Sequence, residues 1–111
     1  AVTWPEVNQD DLQMAWRDIL HRANLNAHHT ITREQLSVRD FMTRILRRLQ
    51  NTRFVEFGEL FEEAIATGMG VAVIIVNFMA MLELSREALI EITQAEPYAP
   101  IYVRLAYSPN T

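Results

Sequence analysis

Hydrophobic residues recur at three- and four-residue intervals in three stretches of the chain, and this spacing predicts three long helices. The first is expected from about residue 10 to residue 25, with Asn8 or Asp10 as its N-cap. The second begins after Ser37, because Asp40 completes the pattern of a capping box. Its apolar positions form the clearest amphipathic face of the chain, at Val38, Phe41, Met42, Ile45, Leu46 and Leu49.

Two glycines separate a short acidic helix from the third long helix. The acidic segment is expected from about residue 59 to residue 66, and Gly68 and Gly70 then interrupt the helical pattern. The third helix is expected to run from about Met69 to Ser85 or Ala88.

Short segments with alternating or β-branched residues predict strands at residues 28–33, 53–57, 89–94 and 101–107. Two prolines in residues 95–100 mark a loop, so the last two strands form a hairpin. From Ser37 onward the order is helix, strand, helix, helix, strand, strand, which is the order of a winged helix. We therefore predict a mostly α (α+β) fold, with an extension helix and short strand over residues 8–34. The winged-helix domain then covers residues 35–107, and its wing is the C-terminal β-hairpin.

The third helix is apolar on both of its faces. At about 100° per residue, one face is expected to lie in the core and consists of Val71, Ile74, Ile75, Phe78 and Leu82. The opposite face has no basic residue and includes Val73, Val76, Ala80 and Leu84. A winged helix that reads DNA needs polar and basic side chains on this helix, so the pattern argues against base recognition. Either the first helix or a partner protein is expected to cover this second face.

The charges are unevenly distributed along a chain whose net charge is −4. Every basic residue is an arginine, and six of the ten lie between Arg33 and Arg53. An acidic group follows at Glu56, Glu59, Glu62 and Glu63. Two interpretations stay open. The two charged faces pair with each other in solvent, or the chain has a basic docking face formed by Arg39, Arg44, Arg47 and Arg48.

The residue types needed for most catalytic and metal sites are absent or poorly placed. There is no cysteine, which excludes disulfides, zinc–thiolate sites and a thiol nucleophile, and is in keeping with a reducing cytosol. His21, His28 and His29 have no arrangement that favours a metal, and Gly68–Gly70 lacks the phosphate-loop pattern. The longest apolar run is shorter than the roughly 20 residues that cross a bilayer. We expect no catalytic activity, cofactor, small-molecule substrate or membrane contact.

Four segments in this order resemble one protein family. They are Ile31–Leu46 (ITREQLSVRDFMTRIL), Phe57–Phe61 (FGELF), Gly70–Leu84 (GVAVIIVNFMAMLEL) and Leu89–Gln94 (LIEITQ). Together they resemble segregation and condensation protein A (ScpA), the kleisin subunit of the bacterial SMC condensin complex. The resemblance extends from about Leu12 to Val103, which is nearly the whole chain.

The resemblance implies a cytoplasmic, nucleoid-associated protein of chromosome segregation and condensation. It implies that the C-terminal winged helix binds the ATPase head of an SMC subunit, that the preceding helix borders the region binding ScpB, and that DNA is contacted only indirectly through the complex. We expect the contact surface to include the hairpin and the outer face of the third helix, at Tyr98, Ile101, Tyr102, Arg104, Val73, Val76, Ala80 and Leu84. The alternatives are a DNA-binding winged helix that uses the arginine face, and a homodimer formed through the third helix.

Overall fold

A computed structural model describes residues 5–26, 36–68 and 70–106 of the chain. In these ranges the chain folds into four helices around one face of a small antiparallel sheet. The elements are α1 (Gln9–Asn26), α2 (Val38–Gln50), β1 (Val55–Glu56), α3 (Glu59–Ala66), α4 (Val71–Arg86), β2 (Ile90–Gln94) and β3 (Ile101–Leu105). The mixed helix and strand content agrees with the predicted α+β class. The strand expected at residues 28–33 lies outside the described residues.

The first two helices begin at the capping residues that the sequence indicates. The Asn8 side-chain oxygen accepts a hydrogen bond from the Asp11 N–H at 3.1 Å. The Ser37 hydroxyl accepts one from the Asp40 N–H at 3.3 Å. Each bond satisfies a backbone donor that the first turn of a helix leaves free. Both predicted helix starts are therefore confirmed to within two residues.

The break before α4 depends on glycine. Gly70 precedes the helix with a φ of +97°, and Gly68 has a φ of +65°. Residues with a Cβ atom rarely adopt these angles, whereas glycine does so at little cost. The chain can therefore end α3 at Ala66 and begin α4 at Val71 in a new direction.

The sheet has the strand order β1–β3–β2, with both pairs antiparallel. β2 and β3 form the predicted hairpin, in which Ile92 faces Val103 and Glu91 faces Arg104. The N-terminal segment lies along the outer edge of β2, where the Gln94 N–H donates to the Pro5 carbonyl at 3.4 Å. This contact covers a strand edge that is otherwise open to pairing.

The hydrophobic core receives side chains from every helix and strand. Ile19 and Ala23 of α1 are buried in the same cluster as Ile45 of α2, Phe61 of α3 and Val103 of β3. Helix α1, predicted as an extension packed on the winged helix, thus contributes side chains to the common core.

Candidate protein-binding surfaces

Helix α4 is buried on the face for which the sequence predicts a cover, either the first helix or a partner protein. Val73, Ala80 and Leu84 are buried, and Val76 is half-buried. Val73, Ala80 and Leu84 are therefore not accessible for the partner contact expected of them, and the burial agrees with the alternative of a cover from within the chain. The reason is tertiary: α4 packs most extensively against α2 and also contacts α1, α3 and β2. Other parts of the same chain therefore cover this face.

The predicted core face of α4 is corrected in the same way. Ile74 is fully buried, but Ile75 and Leu82 are 41% and 42% exposed, and Val71 and Phe78 are half-buried. A helix that is apolar all round gives the sequence little means of choosing between its two faces. The true buried face is centred on Asn77, whose side-chain amide donates to the Leu60 carbonyl of α3 at 3.0 Å.

The solvent side of α4 carries a continuous apolar surface, which we call the α4 stripe. It consists of Ala72, Ile75, Met79 and Leu82. Met79 is 50% exposed. These residues are three or four positions apart and so follow one side of the helix. The exposed charge nearest the C-terminal end of the stripe is Arg86, which forms an ion pair with Glu83 at 3.7 Å.

A surface depression of about 860 Å³ adjoins the C-terminal end of the α4 stripe. Leu82 lines it together with apolar side chains from the N-terminal segment, α1 and β2, namely Val7, Leu12 and Ile92. Polar side chains such as Glu6, Gln13 and Thr93 also line the depression, so it extends the stripe with a surface of mixed character. An exposed apolar surface such as the stripe on a folded domain usually marks a site of protein contact.

The four predicted hairpin residues have different environments. Tyr98 is 88% exposed, and Tyr102 and Arg104 lie on the outer side of β3. Ile101 is buried, so its predicted place on the surface is wrong. Alternation along β3 directs Ile101 and Val103 toward the helices, and Tyr102 and Arg104 away from them.

The outer side of the sheet holds an aromatic and charged group that includes one residue missed from the sequence. The Phe54 ring lies edge-on to Tyr102, with ring centroids 6.1 Å apart. The Arg104 guanidinium lies 5.9 Å from the centroid of the Phe54 ring and forms an ion pair with the Glu91 carboxylate at 2.9 Å. The alternation of Phe54 with the buried Val55 was the signal that could have placed Phe54 on this side.

A buried polar network joins α1 to the tip of the hairpin. The buried Gln94 side chain accepts from the Asn8 N–H and donates to the Asp11 carboxylate and the Ala99 carbonyl, each at 2.9 Å. The same Asp11 oxygen accepts from the Tyr98 N–H at 2.7 Å. Tyr98 has a φ of +67°, so this contact supports an uncommon backbone conformation in the loop. The network positions the exposed Tyr98 ring.

The predicted basic face lies on the solvent side of α2. Arg39, Arg44, Arg47 and Arg48 are all exposed. Arg48 donates to the Glu59 carbonyl at 2.9 Å and lies 4.0 Å from the Glu59 carboxylate. This contact agrees in part with the interpretation that the basic and acidic segments pair. The Arg44 guanidinium lies over the Phe41 ring, 4.9 Å from its centroid.

The described residues contain no group of three or more histidine, aspartate or glutamate side chains placed to hold a metal ion. Among the predicted candidates, His21 is exposed on α1, whereas His28 and His29 lie outside the described residues. Within the described ranges, no helix has the length and apolar character to cross a membrane.

Comparison with known proteins gives one consistent family. The model of the family described as segregation and condensation protein ScpA matches residues 6–106. The chain is 42% identical over 101 residues to segregation and condensation protein A of Coxiella burnetii, covering 90% of this chain and 36% of that protein. It is 40% identical over 107 residues to the protein of that name from Xylella fastidiosa, covering 96% and 34%.

A more distant relative carries the same name. Segregation and condensation protein A of Listeria welshimeri is 34% identical over 103 residues, covering 89% of this chain and 39% of that protein. The chain thus spans about a third of the length of the curated relatives it matches. No solved structure matches it.

Proposed function

This chain belongs to the family of segregation and condensation protein ScpA, and on that basis we propose that it is a non-enzymatic kleisin fragment that binds an SMC ATPase head. In this role it bridges the head to the rest of the kleisin and helps to close a ring around DNA. The proposal also places it in the cytoplasm with the nucleoid. Helix α1 then borders the region that recruits ScpB.

The arrangement of elements supports a winged helix as the binding module. From α2 onward the order is helix, strand, helix, helix and a two-stranded hairpin, and β1 pairs with the far edge of β3. In this interpretation α4 occupies the place of the recognition helix of DNA-reading winged helices. Its solvent side offers hydrocarbon where base recognition needs donors and acceptors.

The observation that carries the proposal is the α4 stripe. Ile75, Met79 and Leu82 are each at least two-fifths exposed, in one line on a regular helix. Burial of apolar surface contributes about 25 cal/mol per Å², and a few central apolar anchors usually dominate an interface. An SMC head with an apolar surface of matching shape would cover the stripe and the adjoining depression.

The hairpin extends the proposed contact surface. Tyr98, Tyr102 and Arg104 offer aromatic and guanidinium groups of the kind enriched at interfaces. Ile101, Val73, Ala80 and Leu84 support this surface from inside the core, and half-buried Val76 lies beside the stripe. The residues proposed for direct contact are therefore fewer than those expected from the sequence.

The test is binding to the cognate SMC head, measured by calorimetry with two matched variants. Met79→Asp places a charge in the α4 stripe, and we expect it to weaken binding at least about tenfold, because a buried unpaired carboxylate is costly. Met14→Asp makes the same chemical change at a more exposed methionine of α1, 61% exposed, and should leave binding nearly unchanged. Equal affinity of the Met79 variant and the unmodified chain would refute this surface.

Self-association through α4 is the competing use of the same stripe. Light scattering of the isolated chain distinguishes the two. A monomer that binds the SMC head supports the kleisin proposal, whereas a dimer that is lost in Met79→Asp and does not bind the head contradicts it.

A further inference from the structure

The arginines of the described chain fall into two groups according to their partners. Arg22, Arg48, Arg86 and Arg104 each lie within ion-pair distance of a carboxylate. No carboxylate of the described residues lies within that distance of the remaining five, which are Arg17, Arg39, Arg44, Arg47 and Arg53. Four of these five occur between residues 39 and 53, so arginines without a carboxylate partner among the described residues are concentrated in α2 and just after it.

We propose that the exposed side of α2 binds the phosphate backbone of double-stranded nucleic acid, without sequence preference, through Arg39, Arg44 and Arg47. This goes beyond the proposed function, in which DNA is reached only through the complex. The surface is separate from the α4 stripe, so one chain can contact nucleic acid and a protein partner together.

The geometry of α2 suits contacts to successive phosphates. The three arginines fall within an arc of about 140° on the helix, opposite its apolar face. Arg39 and Arg47 are eight residues apart, which separates their backbone positions by about 12 Å along the axis. Their long side chains can therefore reach phosphates on both sides of a groove. The Phe41 ring under Arg44 orients that guanidinium, whose planar donors match phosphate oxygens.

The position of α2 in the fold keeps it apart from base recognition. In the winged-helix order α3 and α4 form the helix–turn–helix, and α2 is the helix that precedes it. Base recognition would need α4, whose solvent side has no basic side chain before Arg86. Contact by α2 alone predicts binding that depends on charge and ignores sequence.

Two acidic residues set the limits of the surface. Asp40 lies on the same side of α2 as the three arginines, at the N-terminal turn of the helix. Glu59 of α3 holds Arg48 and so removes it from the group available to a ligand. Because the net charge of the chain is −4, only this side of α2 is expected to attract nucleic-acid phosphates. The affinity for a duplex is therefore expected to be modest and to fall strongly with salt.

Fluorescence anisotropy with a labelled 30-base-pair duplex tests the proposal on the chain alone. Three phosphate contacts predict a slope of about −2.7 in log affinity against log salt, and a loss of roughly 40-fold between 50 and 200 mM salt. A second duplex of unrelated sequence should bind equally within about twofold. Absence of duplex binding at 50 mM salt would overturn the proposal. Binding to polyglutamate that is as tight as binding to the duplex would overturn it as well.

Matched double variants locate the contact. Arg44→Gln with Arg47→Gln is expected to weaken binding about tenfold and to bring the slope near −0.9. Arg17→Gln with Arg86→Gln changes the net charge equally at exposed positions of α1 and α4, and should alter affinity less than about threefold. If both double variants lose affinity equally, the net charge and not α2 is responsible, and the assignment is wrong.

A gain-of-affinity variant completes the test. Asp40→Asn removes the carboxylate from this side of α2 and leaves the backbone N–H that donates to Ser37 in place. We expect tighter duplex binding by about twofold to fivefold at 50 mM salt, because one repulsive charge is lost. Unchanged affinity would place the duplex elsewhere. Because no SMC head is present, these results are independent of the proposed head binding.

Discussion

Individual polar residues determine how α1 is attached to the hairpin. Gln94 is buried, yet all of its side-chain hydrogen-bonding atoms have partners, on Asn8, Asp11 and Ala99. A buried amide with satisfied donors and acceptors costs little, whereas loss of the amide removes a hydrogen-bond partner from three partly buried contacts. Nothing in the spacing of the sequence indicates that residues 11 and 94 meet, because they are far apart in the chain.

We predict that Gln94→Ala lowers the free energy of unfolding by about 2 kcal/mol. The substitution removes the three hydrogen bonds of the Gln94 side chain. Of the contacts in this network, only the bond from the Tyr98 N–H to the Asp11 carboxylate remains. Urea denaturation followed by circular dichroism measures the change. Gln13→Ala, at an exposed glutamine of α1, is the control and should change stability by less than about 0.5 kcal/mol. Equal effects of the two substitutions would contradict the role of the network.

Helix α4 shows how far the sequence can describe a single element. Its existence and its approximate ends follow from the apolar run and from Gly70, and the structure confirms both. Its orientation does not follow from them, because valine, isoleucine, leucine and methionine occur on every side. Packing on α2 decides which side is buried. Helix α2 is the opposite case, since its arginines can only face solvent and its orientation was therefore predictable.

Two adjacent isoleucines of α4 give a matched test of this orientation. Ile74 is fully buried, and we expect Ile74→Ala to lower the free energy of unfolding by about 3 kcal/mol, through lost burial and the cavity left behind. Ile75 lies in the α4 stripe, and Ile75→Ala should cost less than about 1 kcal/mol. Urea denaturation of both variants measures the difference. A larger cost at Ile75 than at Ile74 would mean that the helix is rotated about its axis, with Ile75 and not Ile74 facing the core.

At the scale of the whole molecule, α1 is joined to the remaining elements through an aromatic cluster. Trp16 stacks on Phe78 of α4, with ring centroids 4.0 Å apart and planes inclined by 15°. It also contacts Phe61 of α3, at 5.7 Å between centroids. Stacked and tilted aromatic pairs add to the stability already gained from burial. The division at residue 34 into an extension and a winged-helix domain stays a prediction, and the shared core gives a way to test it.

We predict that a chain shortened to residues 36–111 does not unfold cooperatively. Removal of α1 would expose Phe61 and Phe78 and would delete Ile19 and Ala23 from the core. Thermal melting by circular dichroism and binding of a hydrophobic dye measure the result. Trp16→Ala in the full chain is a less disruptive variant, and we expect it to lower the free energy of unfolding by about 2–4 kcal/mol. A sharp melt of the shortened chain near that of the full chain would show that α1 is dispensable.

The sequence by itself determined the helix and strand order of the described residues, the helix caps and the basic character of α2, because each depends on residues close together in the chain. It also indicated the family, through the order of segments spread over nearly the whole chain. It also showed that α4 has no basic residue before Arg86, so no rotation of the helix about its axis presents a row of basic side chains. Only the tertiary structure decided which side of α4 is exposed, that Ile101 is buried, and that Gln94 joins α1 to the hairpin. Each of these depends on packing between elements distant in sequence, for which the local pattern carries no signal.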